Sequence, residues 1–167
     1  IFHTRSDTEV IVHAWEAWGE ECAKRFRGMF AFALWDRNRE CLFLARDRLG
    51  VKPLHYALLN DGTLLFGSEL KSMLAHGGLP KDIDPLAVEE YFALGYVAEP
   101  RCIFKQARKL PPACTLLVKR GLALREPREY WDVRFTLDRR IGEAEAFEEL
   151  TARLNESIRL RLMSEVP

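Results

Sequence analysis

The chain lacks an excess of charge of either sign. Its 167 residues carry 25 Lys and Arg against 25 Asp and Glu, a formal net charge of zero. That argues against a general nucleic-acid binder or a partner for anionic membranes, both of which need a basic surplus. No apolar run approaches the roughly 18 residues of a membrane span, and no signal-peptide pattern is present. There is no internal repeat and no low-complexity stretch, which excludes solenoids, propellers and tails. The four cysteines, Cys22, Cys41, Cys102 and Cys114, form no C-x-x-C pair, and no Cys/His group has zinc spacing. They read as reduced thiols of a cytoplasmic protein. The histidines, His3, His13, His55 and His76, have no acid or nucleophile at a telling distance. The chain also opens on Ile1 rather than Met.

What is present is enough apolar material for a core, at 48% of residues, which excludes disorder. A helix is expected from Ser6 to about Phe26. Ser6 and Glu9 have capping-box spacing, and Val10, Ile11, Ala14, Trp15 and Trp18 fall on one face. Gly19 is placed to end or kink it. Met29 to Trp35 contains no polar residue, the pattern of a strand covered on both faces. Cys41 to Ala45, Pro53 to Asn60 and Thr63 to Ser68 continue it, the last two joined by Asp61-Gly62, a two-residue hairpin signal. Residues 29–68 thus predict a buried antiparallel meander. A short helix follows over Glu69 to His76, stopped by Gly77-Gly78. Another starts at Asp84-Pro85 and ends near Gly95. Residues 96–112 read as loop. Thr115 to Val118 and Leu122 to Leu124 predict a hairpin, and residues 143–163 a charged helix striped by Phe147, Leu150, Leu154, Ile158 and Leu162.

Four segments stand in a telling order: Ser6-Asp7-Thr8-Glu9-Val10-Ile11, Gly28-Met29-Phe30-Ala31-Phe32-Ala33-Leu34, Arg46-Asp47-Arg48-Leu49-Gly50-Val51-Lys52-Pro53-Leu54, and Ser68-Glu69-Leu70-Lys71. Together they resemble the glutamine-hydrolysing asparagine synthetase family, from about Thr4 to the last residue. The resemblance implies an α+β fold: a partial αββα sandwich of the N-terminal-nucleophile hydrolase type with antiparallel sheets, followed by the first helix of an α/β synthetase domain. Residues 1–135 would form the C-terminal part of a class II glutamine amidotransferase domain. Residues 136–167 would form a linker and the start of an ATP-dependent synthetase domain. In the family, the Asp of the first segment holds the amino group of bound glutamine, which places that role on Asp7. A carboxylate suits an α-ammonium, since charge-assisted hydrogen bonds are about twice as strong as neutral ones. The methionine of the second segment resembles a position lining an ammonia tunnel, which makes Met29 the candidate there. The third and fourth segments read as structural: Gly50 for a turn, Pro53 at the start of a strand, Arg46 and Asp47 as a local pair, and Ser68 as an N-cap.

The family's nucleophile is a cysteine at the mature N-terminus, whose own amine serves as base. No internal cysteine supplies that arrangement, so no catalytic residue is expected within the chain. Leu162 to Pro167 resembles the run into the synthetase's phosphate-binding loop. The resemblance therefore implies that ATP and Mg belong to that synthetase domain, with no metal or cofactor held by these residues. The chain by itself is expected to hydrolyse no glutamine and to expose sheet edges. The implied reaction passes ammonia from glutamine to an adenylated aspartate, giving asparagine, AMP and pyrophosphate. Expected partners are glutamine, aspartate, the remainder of the same polypeptide and a second copy in a homodimer. Two other readings stand beside it. Tyr91 to Val97 and Lys109 to Pro112 resemble amidotransferases of exosortase and surface-polysaccharide systems, with another acceptor. A non-catalytic scaffold could also keep the same sandwich.

Overall fold

The computed structural model describes residues 2–4, 6–136 and 141–162. The chain divides into two compact units, Ile1–Asp132 and Val133–Pro167. It mixes helices with antiparallel sheet.

The first unit opens with α1, Asp7–Trp18. Ser6 caps it in an extended conformation, but its hydroxyl accepts from the Thr8 amide rather than from that of Glu9. Glu9 reaches back further than a capping box requires, to residues 3 and 4. Gly19, at φ +56°, ends α1 by donating to the Trp15 carbonyl, and a 3-10 helix continues over Gly19–Arg25. The helical segment thus has the expected extent, broken where glycine allows a left-handed turn.

Two sheets follow. β1 (Ala31–Asp36), β2 (Cys41–Arg46), β6 (Cys114–Lys119) and β7 (Arg128–Glu129) form the first, in that spatial order. β3 (His55–Leu58), β4 (Leu64–Gly67) and β5 (Arg108–Lys109) form the second, with β3 in the middle. The expected single meander is therefore two hairpins in different sheets. The Asp47–Leu54 segment carries the chain between them. The Leu59 amide donates to the Thr63 carbonyl, so the β3–β4 loop has three residues, 60–62, with Gly62 at φ +85°. β6 pairs with β2 and β7 rather than with residues 122–124. β5, inside the expected loop, pairs with β3.

The alternation along β2 explains the layering. Cys41, Phe43 and Ala45 join the core formed with Trp15, Cys22 and Ala23, between the helical segment and one face of the first sheet. Leu44 points the other way, with Leu116, into a core shared with Leu54 and Tyr56 of the second-sheet side. A third core places Met73 of α2 (Leu70–Leu74) against Ala57 of β3. The order is helix, sheet, sheet, helix. The strand buried on both faces is β2, not β1. β1 lies at the edge of its sheet, and Ala33 and Trp35 on its second face are exposed because the second sheet does not reach over them. Trp15 anchors the helical layer: its ring centroid lies 4.8 Å from that of Phe43, and its indole donates to the Asp36 carboxylate at 2.8 Å.

α2 begins after Glu69, so Ser68 is not its cap. α3 (Pro85–Leu94) is built as its sequence predicts, with Asp84 capping the Leu86 amide, Pro85 in the first turn and Gly95 left-handed at its end. The second unit contains α4, Glu143–Arg161, whose Phe147, Leu150, Leu154 and Ile158 are exposed along one stripe. The expected approach to a phosphate loop at residues 163–167, and part of the expected linker at 137–140, lie outside the described residues. No described helix is long and apolar enough to cross a membrane.

Candidate functional site

The free edge of β1 is the floor of a groove of about 760 Å³. One wall is the first two turns of α1, with Asp7, Thr8 and Ile11; the other carries Lys52, Pro53 and Ser68. Met29 lies on the approach to β1 and borders the same groove. The two residues singled out from sequence, 22 positions apart in a helix and a loop, are thus brought to one concavity. Asp7 is the first residue of α1 and is exposed, where its carboxylate also complements the unpaired amides of the helix start. Among the described residues it has no ion-pair partner. Met29 is 49% exposed. It stands on an open wall, and the described residues do not close a passage around it.

Asp7 is held by what surrounds the helix start. Glu9 accepts from the backbone amides of His3 and Thr4, each at 2.6 Å, and from the Thr4 hydroxyl at 2.5 Å. Those donors, the Thr4 hydroxyl first, hold the Glu9 carboxyl down at about 2, from 4.5 in an unperturbed glutamate. The segment before α1 is therefore tied to the helix on both sides of Asp7.

The opposite wall is set by Arg46 and Asp47, which do not pair with each other. Arg46 is buried and spends its guanidinium on the carbonyls of Lys52 (2.8 Å), Gly50 (2.7 Å) and Leu110 (2.6 Å), and on the Glu99 carboxylate at 2.6 Å. Asp47, also buried, accepts from the amides of Leu49, Val51 and Lys52. The turn is thus braced by Arg46 on its carbonyls and by Asp47 on its amides. Gly50 sits in it at φ +66°, where a Cβ would lie 2.9 Å from Pro112 Cγ. This fixes where Lys52 and Pro53 meet the groove. Sequence reasoning identified the turn but not that its end forms a groove wall, nor that Glu99, 53 residues on, is the anionic partner of Arg46. No spacing rule signals either.

The cysteines are unsuited to nucleophilic chemistry here. All four are free and buried, and none borders the groove. Burial pushes the Cys22 thiol up to about 11 and raises Cys41, Cys102 and Cys114 as well. Among the described residues no group of three or more His, Cys, Asp or Glu is placed to hold a metal ion.

Comparison with known proteins bears on this geometry. A family described as a glutamine amidotransferase domain matches residues 1–131. The glutamine-hydrolyzing asparagine synthetase 3 of Bacillus subtilis is 42% identical over 134 residues, 79% of this chain and 21% of that protein. The glutamine-hydrolyzing asparagine synthetase 1 of the same organism is 38% identical over 119 residues, 71% of this chain and 18% of that protein. A Penicillium rubens protein named amidase chyE is 34% identical over 166 residues, 97% of this chain and 24% of that protein. The chain spans about a fifth to a quarter of the length of these relatives.

Proposed function

Because the chain belongs to the glutamine amidotransferase domain family, we propose that it forms the Asp7 side of a glutamine site in an enzyme of the asparagine synthetase type. The carrying observation is the position of Asp7: a carboxylate with no ion-pair partner among the described residues, on the first turn of α1 at the rim of the groove floored by β1. Its role is to accept the α-ammonium of glutamine, a charge-assisted contact that fixes one end of the substrate.

In this reading another strand of the whole protein pairs with the free edge of β1 and completes a sandwich of the N-terminal-nucleophile hydrolase type. The helix–sheet–sheet–helix order of the cores supports it. The thiol that attacks the glutamine amide is an N-terminal cysteine with its own amine as base, as the resemblance implies. Attack expels ammonia, which takes the proton of the thiol and passes along the side of β1 where Met29 lies, and water then hydrolyses the thioester to release glutamate and restore the thiol. α4 then begins the synthetase part, and Mg-ATP is held by that part rather than by the groove. Its chemistry there is activation of the acceptor acid by adenylation, with aspartate as the acceptor. The cytoplasm is the compartment for such small-molecule chemistry.

The test is Asp7→Asn in the full-length protein, assayed with glutamine and with free ammonia. Loss of a hydrogen bond to a charged group, worth about 1.5–3 kcal/mol, raises the glutamine KM roughly 10- to 100-fold. Ammonia-dependent synthesis stays near wild type, because ammonia bypasses the site. Equal loss of both activities, or an unchanged KM, overturns the assignment. A second reading, another acceptor than aspartate, is favoured by the amidase named among the relatives. Pyrophosphate release across candidate carboxylic acids separates the two.

A further inference from the structure

Asp7 is not the only acid of its segment with a defined task. Glu9 lies one turn into α1 and does not point at the groove; it does not border it. Among the described residues, all its donors except His13 come from residues 3 and 4. A capping-box glutamate would return to the amide of its own cap residue, Ser6. Glu9 instead passes over Ser6 and Asp7 and ties down the chain before them. Ser6 then makes its short cap to Thr8, and its own amide donates to the Thr4 hydroxyl at 3.2 Å. Asp7 therefore sits in a closed loop: residues 3–4, Ser6, the first helical turn, and Glu9 back to residues 3–4. An exposed helix start would otherwise fray, and an aspartate there would sample several orientations.

We propose that Glu9 is a positioning residue for glutamine binding, which acts through Asp7 by fastening residues 3 and 4 across the start of α1. The proposal rests on the reading of Asp7 as the ammonium acceptor. Glu9 does not touch substrate. It sets the direction of the Asp7 carboxylate, so its removal weakens substrate binding without altering the reacting atoms. The Thr4 hydroxyl is part of the same device, since it both donates to Glu9 and accepts from Ser6.

The experiment is a double-mutant cycle in the full-length protein, reading glutamate release against glutamine concentration. Glu9→Ala is expected to raise the glutamine KM by about 5- to 20-fold with kcat within about twofold, the pattern of lost binding rather than lost chemistry. Thr4→Val, a milder change that leaves all charges in place, is expected to raise it about two- to fourfold. In an Asp7→Asn background, Glu9→Ala is expected to add less than about twofold, because two residues that act as one unit are not additive. A fall in kcat at constant KM, or a Glu9→Ala effect that adds in full to Asp7→Asn, assigns Glu9 to folding alone and overturns the inference. So does a KM unmoved by Glu9→Ala when Asp7→Asn raises it. If Asp7→Asn itself leaves KM unchanged, the ammonium reading of Asp7 fails first and this inference falls with it. Should Glu9→Ala not fold, Thr4→Val in the two backgrounds decides by the same additivity criterion.

Discussion

At the scale of single residues, the groove wall depends on one position having no side chain. Gly50 was legible as a turn glycine, and its φ of +66° agrees. Its crowding was not. A Cβ there would meet Pro112 Cγ at 2.9 Å and the Arg46 guanidinium carbon at 3.0 Å. Neither neighbour is free to yield: Arg46 is fixed by three carbonyls and Glu99, and proline is a ring. Gly121 is the natural comparison, with φ +76° and nothing within 4 Å of a Cβ. Gly121→Ala therefore carries only the backbone penalty of about 1–2 kcal/mol, while Gly50→Ala adds overpacking of about 1–3 kcal/mol. Denaturant titration of the two variants is expected to show Gly50→Ala costing more by at least about 1 kcal/mol. Equal costs would remove the close approach of Arg46 and Pro112 from the explanation. The same residues show why sequence fell short here. Arg46 and Asp47 are neighbours of opposite charge and invite a local pair, yet burial forces both to satisfy backbone groups first, and the countercharge comes from Glu99.

At the scale of elements, capping chemistry was readable and sheet partnership was not. Asp84, Pro85 and Gly95 define α3 through contacts made within a few residues, so their sequence spacing contains the answer. β2 and β6 pair across more than 60 residues, and nothing local distinguishes that partner from residues 122–124. Burial on both faces was attached to the most apolar strand, whereas it belongs to β2, which is central in its sheet. α1 lies between these cases. Together with the 3-10 helix after Gly19 it fills the expected helical span, and Glu9 was rightly seen to reach back, but its targets were not. The consequence is a pH dependence. Glu9 titrates at about 2 in the folded chain against 4.5 unperturbed, so folding favours its ionised form. The contribution is complete above about pH 4.5 and is lost as pH falls towards 2. Hydrogen exchange at the α1 amides is expected to show greater protection in wild type than in Glu9→Gln at pH 5. The two should converge as pH approaches 2. A gap of constant size across that range would mean that the ionised carboxylate does not hold the helix start.

At the scale of the whole molecule, the groove and the thiols point to a division of labour. The described residues supply the carboxylate of Asp7 at a groove rim, the proposed ammonium acceptor, with a floor of free strand edge and two braced walls. Their four cysteines are enclosed in cores and desolvated, which keeps them protonated and away from the groove. Asp7 was picked out through the family resemblance of its motif, and the structure adds its place on the first turn of α1 at the groove. The groove was not, because it arises only when α1 and the Asp47–Leu54 turn are placed on opposite sides of β1. This division gives the reading a direct test. An electrophilic glutamine analogue, one that alkylates the thiol attacking the amide, is expected to inactivate glutamine-dependent turnover of the full-length protein with glutamine protecting. Peptide mapping is expected to find the label on a thiol other than Cys22, Cys41, Cys102 or Cys114, and Asp7→Asn is expected to slow labelling by roughly the factor by which it raises KM. A label on any of those four cysteines, protected by glutamine, would instead require one of the cores to open during catalysis, and the groove beside Asp7 would no longer be the place where glutamine is cleaved.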